Sequence, residues 1–185
     1  MNIFTVDNTN DNGSGSLRQA IEDANATPGN DRIQFEPGLS GQEIILTSGE
    51  LQISESVNIE GLLNADDLTI SGNDTSRIFL IDDFNAENQI DVSIDKLTLT
   101  EGNSREGGGA IANSENLTIS QSQIINNQNT SQEPTDGGGA IRNSNTGSLN
   151  IDRTLISHNQ SSAFGGGITN FGELSTVESE TLVMD

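Results

Sequence analysis

This sequence has no cysteine, no tyrosine, no tryptophan and few basic residues, and each shortage excludes a class of chemistry. Without cysteine the chain has no disulfide, no thiolate metal site and no thiol nucleophile. It has 7 Lys and Arg residues against 28 Asp and Glu residues, which gives a formal net charge of −21. Because phosphate contacts need clustered basic side chains, we expect no nucleic-acid partner. Anionic polysaccharide is also repelled unless a cation bridges it.

Long apolar runs and aromatic side chains are scarce as well. No stretch is long enough to cross a bilayer, so no membrane span is expected. The first seven residues lack the basic and apolar regions of a secretory signal. Either a signal has been removed or replaced in this sequence, or export depends on something else. Aromatic residues make up 3% of the chain, and they usually provide the surfaces on which sugar rings stack. Their scarcity weighs against a sugar-processing enzyme and against a lectin.

A glycine-rich block occurs three times in the second half of the chain. Gly107–Asn113 reads Gly-Gly-Gly-Ala-Ile-Ala-Asn, Gly137–Asn143 differs only in Arg142, and Gly165–Asn170 is one residue shorter. The blocks start 30 (137 − 107) and 28 (165 − 137) residues apart. A block that returns at this spacing indicates stacked structural units rather than an independent globule.

Short runs with alternate apolar positions follow each block, and similar runs fill the chain from residue 33 onward. This period is that of strands, and one unit has too few apolar side chains to bury a face alone. We therefore predict an all-β parallel β-helix of about five or six coils, roughly 25 to 30 Å long at a strand spacing near 4.8 Å. Ile111, Ile141 and Ile168 should stack in one column, and Ile119, Ile151 and Val177 in another.

Asparagine returns at the turns of each unit. Asn tolerates the left-handed backbone and can bond its neighbours through its amide. In a solenoid such residues lie above one another, so each amide can bond to the next along the axis. Two structural ladders are predicted, and they contain Asn113, Asn143 and Asn170 in the first and Asn127 and Asn159 in the second.

One helix precedes the strands. Ser16 is the predicted N-cap and Gln19, three positions later, completes a capping box. Apolar residues follow at helical spacing and define one inward stripe, formed by Leu17, Ala20, Ile21 and Ala24. We assign residues 1–30 to an N-terminal cap that covers the open strand edges of the first coil, and residues 31–185 to the β-helix.

The cap and the repeats together resemble a known family. Residues 10–25, 33–35 and 49–53 resemble the N-terminal cap of CSLREA-type bacterial surface proteins, many of them cyanobacterial. The Gly-Gly-Gly-Ala-Ile-x-Asn blocks are similar to the repeats of polymorphic outer-membrane proteins. The resemblance implies a right-handed parallel β-helix of the pectin-lyase-like class. The sequence departs from the family at Ser16, where the family usually has Cys. Family members are also usually longer, so we expect this chain to contain the first coils of a larger protein.

The resemblance leaves two functional classes open. The first is a non-catalytic, structural or adhesive segment of a secreted or cell-surface protein. The second is a polysaccharide lyase, epimerase or hydrolase. The enzymes of this fold that cut by β-elimination resemble one another in using Lys or Arg as a base, with Ca²⁺ or a second cation that neutralises the uronate. The candidate bases are Lys96, Arg105 and Arg142, and each is also interpretable as a solvated or ion-paired residue.

Other candidate groups favour structure over catalysis. The neighbouring acids Asp66 with Asp67 and Asp82 with Asp83 would point to opposite faces of a strand, and such pairs usually mark solvated turns. His158 is the only histidine, and no acid or serine recurs near it at a fixed offset. No residue is assigned as a metal ligand, although the many carboxylates admit Ca²⁺ as a cofactor.

The sequence therefore favours a non-catalytic, extracellular or cell-surface segment whose partners would be cell-surface polysaccharide or protein. The last apolar run, Leu182–Met184, is followed by no polar cap. We expect either end-to-end self-association of the chain or a frayed last coil.

Overall fold

The computed structural model describes residues 1–85, 87–133, 135–176 and 182–184. Its secondary structure is almost entirely short parallel strands, with one α-helix in the described residues, α1 at Leu17–Asn25. The strands in chain order are β1 (Ile3–Val6), β2 (Asp31–Phe35), β3 (Gln42–Ile45), β4 (Leu51–Ile53), β5 (Val57–Glu60), β6 (Leu68–Ser71), β7 (Phe79–Ile81), β8 (Asp91–Asp95), β9 (Thr98–Thr100), β10 (Asn103–Ser104), β11 (Ile111–Asn113), β12 (Asn116–Ser120), β13 (Gln123–Ile125), β14 (Gln128–Asn129), β15 (Ile141–Asn143), β16 (Ser148–Asp152), β17 (Leu155–Ser157), β18 (Gln160–Ser161), β19 (Ile168–Asn170), β20 (Glu173–Thr176) and β21 (Leu182–Met184).

The strands form four walls of a solenoid. Wall A has the order β1-β2-β5-β8-β12-β16-β20, wall B β3-β6-β9-β13-β17-β21, wall C β4-β7-β11-β15-β19 and wall D β10-β14-β18. Each circuit of the chain visits walls A, B and C in turn, which gives about six coils. This confirms the predicted fold class, an all-β parallel β-helix with a helix at its N-terminal end.

The coils do not all contain the same number of strands. The third, fourth and fifth coils add a two-residue strand on wall D between walls B and C. One of these strands, β14, begins the polar stretch 128–136. The extra wall turns the chain before each triple-glycine block.

Like residues stack on like residues along the axis. Ile111 pairs with Ile141, and Ile141 pairs with Ile168, as predicted. Ile119 pairs with Ile151 in the second column. The third predicted member of that column, Val177, lies outside the described residues. Ile151 instead pairs with Thr176, so the assignment of Val177 to that position was wrong by one residue.

The stack buries one continuous apolar core. Strand residues alternate between inward apolar and outward polar side chains, as β12 shows with Leu117 and Ile119 buried and its other residues half-buried. Inward residues of successive coils are almost fully buried, together with Leu17 of α1. The largest fully buried side chains are Phe79, Leu17, Ile33, Ile44, Leu46, Leu51, Ile53, Ile59, Leu68, Ile70, Ile78 and Ile81. Burial of this apolar surface is the main stabilising contribution to the fold.

The triple glycines let adjacent coils approach backbone to backbone. A Cβ atom at Gly139 would lie well inside contact distance of the Gly166 carbonyl oxygen and of the Gln160 backbone. Gly138 has φ of +85°, a conformation that other residues rarely adopt. Within one block, Gly139 is therefore required by the close approach of the next coil, and Gly138 by its positive φ angle.

The helix α1 covers the N-terminal end of the core. Its apolar stripe of Leu17, Ala20, Ile21 and Ala24 is buried, as the spacing predicted. The Gln19 backbone N–H donates to Ser16 Oγ at 3.2 Å. The reciprocal half of the capping box is absent among the described contacts, because the Ser16 N–H donates to the Gly13 carbonyl and the Gln19 side chain donates to Asp23.

The carboxylate of Asp11 fastens the cap loop, residues 7–16, to the first coil. Arg18 Nη2 lies 2.8 Å from Asp11 Oδ1, and the Thr47 N–H and hydroxyl donate to Asp11 Oδ2 at 3.1 and 3.0 Å. The same guanidinium donates to the Gly49 carbonyl at 2.6 Å. Burial raises the pKa of the Asp11 carboxyl, but hydrogen bonds from Ser48, Arg18 and Thr47 outweigh it and lower the pKa to about 2.

Candidate functional site

Lys96, the first candidate base, lies at the corner between walls A and B with φ of 55°. Its Nζ lies 2.8 Å from Asp95 Oδ2 and 3.6 Å from Glu60 Oε1. The hydrogen bond to Asp95 and the charge of Glu60 raise the pKa of the Lys96 ammonium. A general base needs the opposite, a pKa lowered toward the working pH.

The two arginine candidates lie on other parts of the solenoid. Arg142 lies in β15 on wall C, where its Nε donates to the Thr135 carbonyl at 3.0 Å and its guanidinium lies 5.8 Å from the centre of the Phe171 ring. Arg105 is exposed in the segment between β10 and β11. The fold therefore separates the Lys96 corner from the wall that carries Arg142.

The lone histidine, His158, is an exposed turn residue. It has φ of 58°, and its Nδ1 lies 3.2 Å from the Ser157 Oγ, which is itself buried. A small polar depression beside it is lined by Asp74, Asn126, Asn127, Gln128, His158 and Gln160. Among the described residues, the His158 ring has a hydrogen-bond contact with the Ser157 hydroxyl and none with a carboxylate that could orient it.

The first acidic pair has a structural position. Asp67 Oδ2 accepts the Asn64 N–H at 2.9 Å and closes a short 3₁₀ turn. Asp66 accepts a hydrogen bond from the Gln123 side chain, which links this turn to the outer face of wall B. Asp67 thus stabilises the turn itself, and Asp66 holds that turn against wall B.

The second acidic pair lies in a cluster of three carboxylates next to a surface pocket. Asp82, Asp83 and Glu115 each present an oxygen, and these oxygens lie within 4.8 Å of one another. They meet at the corner between walls C and A, beside a pocket of about 250 Å³. The pocket is lined by Asp82, Phe84, Asn85, Gln89, Ser114, Glu115 and Thr146.

Glu115 holds both ends of the loop at this corner. Its Oε1 accepts the Asp83 N–H at 3.2 Å and its Oε2 accepts the Ile90 N–H at 3.0 Å, while the side chain is almost fully buried. Burial raises the pKa of the Glu115 carboxyl, and the nearby Asp83 charge acts in the same direction. The pKa of Asp83 is lowered, mainly by the hydrogen bond from Asn88. The cluster thus favours retention of a proton at Glu115 or binding of a cation.

The first predicted asparagine column is continuous in the structure. Asn113 Nδ2 donates to Asn143 Oδ1, and Asn143 Nδ2 donates to Asn170 Oδ1, each at 2.7 Å. Asn143 Nδ2 also lies 3.0 Å from the Gly147 carbonyl and 3.1 Å from that of Glu173. Asn113 and Asn143 are buried, so these bonds satisfy groups that water does not reach.

The second column lies at the corner between walls B and D. Asn127 Nδ2 donates to Asn159 Oδ1 at 3.0 Å and contacts the carbonyls of Leu99 and Ile125. Asn127 Oδ1 accepts the Gly102 N–H at 2.8 Å, which extends the column by one coil. Both columns bond coil to coil and face inward.

A third polar column escaped the sequence analysis because its members differ in residue type. Each member ends a wall D strand and accepts, through its side-chain oxygen, the N–H two positions later. These members are Ser104, Asn129 and Ser161, with donors Glu106, Ser131 and Ala163. A Ser or Asn at the same offset after each wall B strand was the available signal.

Arg77, a buried cation, was also missed. It is 8% exposed, its Nη2 donates to Ser104 Oγ at 3.0 Å, and its Nη1 lies 3.5 Å from Glu50 Oε2. Burial lowers the pKa of Arg77, and the charges of Glu50 and Glu106 act against that shift. These contacts join side chains of the first three coils.

The walls, the buried amide columns and the closed N-terminal end define the class, a parallel β-solenoid. No family model matches the chain, and no curated protein matches it significantly. The CSLREA-type and pectin-lyase-like assignments therefore rest on the quoted residues alone. In the described residues no helix is both long enough and apolar enough to span a membrane.

Proposed function

We propose that this chain is a non-catalytic structural or adhesive β-helix segment of a secreted or cell-surface bacterial protein. The observation that carries the proposal is the position of Lys96, which two carboxylates hold protonated on a corner apart from Arg142. A lyase of this fold needs a basic group free to remove a proton. The polar side chains at the inner corners form hydrogen bonds between coils, and such bonds stabilise an elongated structural segment.

The extracellular location is part of the same proposal. The resemblance to bacterial surface proteins supports it, and so does a net charge of −21, which keeps solvent-exposed shafts apart from one another. Outward columns of short polar side chains, such as Ser93, Thr118 and Asn150 on wall A, offer an even surface to a polysaccharide or protein partner.

Calcium binding at the corner cluster is a second candidate function. Asp82, Asp83 and Glu115 supply carboxylate oxygens close together, and Ca²⁺ binds through oxygen ligands. An ion there would join the loop that precedes β8 to Glu115, which follows β11. Its role would be to stabilise the shaft rather than to activate a substrate.

The two ends of the solenoid differ, and this difference indicates which end is available for self-association. Helix α1 and strand β1 cover the first coil, whereas β19 and β20 each pair on only one side among the described residues. Leu174 is 46% exposed although its stacking partner Leu149 is fully buried. We expect a second copy of the chain to associate through the C-terminal end rather than through the end that α1 covers.

The test of the main proposal is turnover of a panel of acidic and neutral polysaccharides, with and without Ca²⁺. Product absorbance follows β-elimination, and reducing ends follow hydrolysis. The proposal predicts no turnover by the wild type or by Lys96→Met. Turnover that Lys96→Met abolishes would replace the structural proposal with the lyase alternative.

A further inference from the structure

The cap loop contains the one Asn-Gly pair of the sequence, Asn12-Gly13. Asn12 is exposed, and Gly13 has φ of +90°. A Cβ atom at Gly13 would meet nothing within 4 Å, so the space around this peptide is open. This pair therefore differs in its surroundings from the asparagines of the solenoid.

The asparagines of the ladders are held by their amides. Asn113 and Asn143 are each followed by serine, and each side-chain nitrogen and oxygen is bonded within the buried corner. By contrast, the described residues give no hydrogen bond to the Asn12 side chain and none to the Gly13 N–H. The side-chain carbonyl of Asn12 is free to meet the next backbone nitrogen.

We propose that Asn12 is a site of spontaneous modification, at which the side-chain amide is lost and aspartate or isoaspartate forms. The Gly13 nitrogen bonds to Asn12 Cγ, the Cγ–Nδ2 bond breaks, and Nδ2 leaves as ammonia with the proton that the Gly13 nitrogen gives up. Water then opens the cyclic imide at either carbonyl. Glycine assists because no side chain shields its nitrogen and because it accepts a wide range of backbone angles.

The modification acts on the cap through the neighbouring residue. Asp11 joins the cap loop to Arg18 in the helix and to Thr47 in the first coil. Isoaspartate adds a backbone carbon within residue 12, between its Cα and the Gly13 nitrogen, and both products add a negative charge at the residue that follows Asp11. We expect each change to loosen Asp11 from its partners, so an aged chain has a weaker N-terminal cap.

The first arm of the test is incubation of the folded protein at mildly alkaline pH, followed by peptide mass spectrometry and enzymatic detection of isoaspartate. The expected result is conversion of Asn12 ahead of every other asparagine, and no conversion at this position in Asn12→Gln. Retention of the Asn12 amide while other asparagines convert would overturn the site. So would conversion of Asn12 only when the chain is unfolded.

The second arm compares melting temperatures of fresh and fully converted protein, with Asn12→Gln incubated in parallel as a control for other damage. Conversion should lower the melting temperature in the same direction as Asp11→Asn, while Asn12→Gln keeps its value. An unchanged melting temperature after full conversion would overturn the proposed effect on the cap.

Discussion

Asn113 donates its side-chain N–H to the side-chain oxygen of Asn143 at 2.7 Å, although the two residues lie 30 positions apart in the chain. The bond exists because one circuit of the solenoid brings equivalent positions into contact. Asn143 repeats the same donation to Asn170. A sequence repeat has thereby become a chain of buried amide bonds parallel to the axis.

Substitution of the central member should be costly. Asn143→Ala would remove an acceptor from Asn113 and a donor from the carbonyls of Gly147 and Glu173, all near the buried corner. Because each buried group left unpaired costs about 1–3 kcal/mol, we expect a loss of roughly 2–4 kcal/mol in the free energy of unfolding. Urea denaturation measures it, with the exposed Asn145→Ala as control. Equal losses for the two variants would contradict a structural ladder.

The third glycine of a block should not accept alanine. Gly139→Ala would place a Cβ against the Gly166 carbonyl and force two coils apart, which we expect to cost about 2 kcal/mol or more. Gly38→Ala is the matched control, because its Cβ would meet nothing within 4 Å and its φ is not positive. We expect the control to change stability by less than about 1 kcal/mol. Thermal and urea unfolding of both variants measure the two changes in stability. If Gly139→Ala were as stable as the wild type, the close approach of the coils would be contradicted.

The Asp11 carboxylate predicts an acid-sensitive cap. Its pKa falls from 3.8 to about 2 on folding, so its stabilising contribution is present above pH 3.8 and is lost as the pH falls through about 2. A shift of this size corresponds to about 2 kcal/mol. Asp11→Asn should be less stable than wild type at neutral pH, and the difference should shrink toward pH 2. Glu22→Gln, an exposed change in α1, is the control, and a pH-independent difference for Asp11→Asn would refute this assignment.

The corner cluster predicts stabilisation by calcium. If the ion binds near the ~1 mM affinity of extracellular calcium modules, a tenfold excess should add about 1.4 kcal/mol. The melting temperature should rise with added Ca²⁺ in wild type and in the distant control Glu36→Gln. Asp82→Asn should abolish the increase. An identical response in all three proteins would show that calcium acts elsewhere.

The open end predicts association through the last coils. Leu174→Lys should lower any concentration-dependent self-association seen by sedimentation, because it places a charge among the exposed apolar side chains at that end. Leu63→Lys alters an 86% exposed leucine in the connection between β5 and β6 and should have no effect. Association that responds equally to both changes would place the contact elsewhere.

The regular part of this structure could be predicted from the sequence because each unit repeats its neighbour. The Gly-Gly-Gly-Ala-Ile-x-Asn spacing predicted the stacking of Ile111 on Ile141, and the strand period predicted which residues face inward. The prediction at Val177 failed where the repeat spacing is disturbed, because one residue of shift moves a strand's register. The regular spacing of the repeats is what made the stacking and the inward-facing residues predictable.

The irregular part could not be predicted in the same way. Asp11 contacts Thr47 from 36 positions away, and Glu115 contacts Ile90 from 25 positions away, in loops that have no counterpart in other coils. Such pairs depend on where the solenoid places two unrelated loops. The acid cluster is therefore visible only in the structure, although its individual residues were noted as turn acids or overlooked.

The one-coil register is the central feature of this fold, because it places the inward residues of each coil over those of the coil before it. A set of interstrand nuclear Overhauser contacts in the isotopically labelled protein tests this register. We expect contacts that join Leu117 with Leu149 and Ile119 with Ile151, as in the parallel pairing of β12 with β16. Antiparallel contacts, or contacts displaced by one residue along this pair, would contradict it.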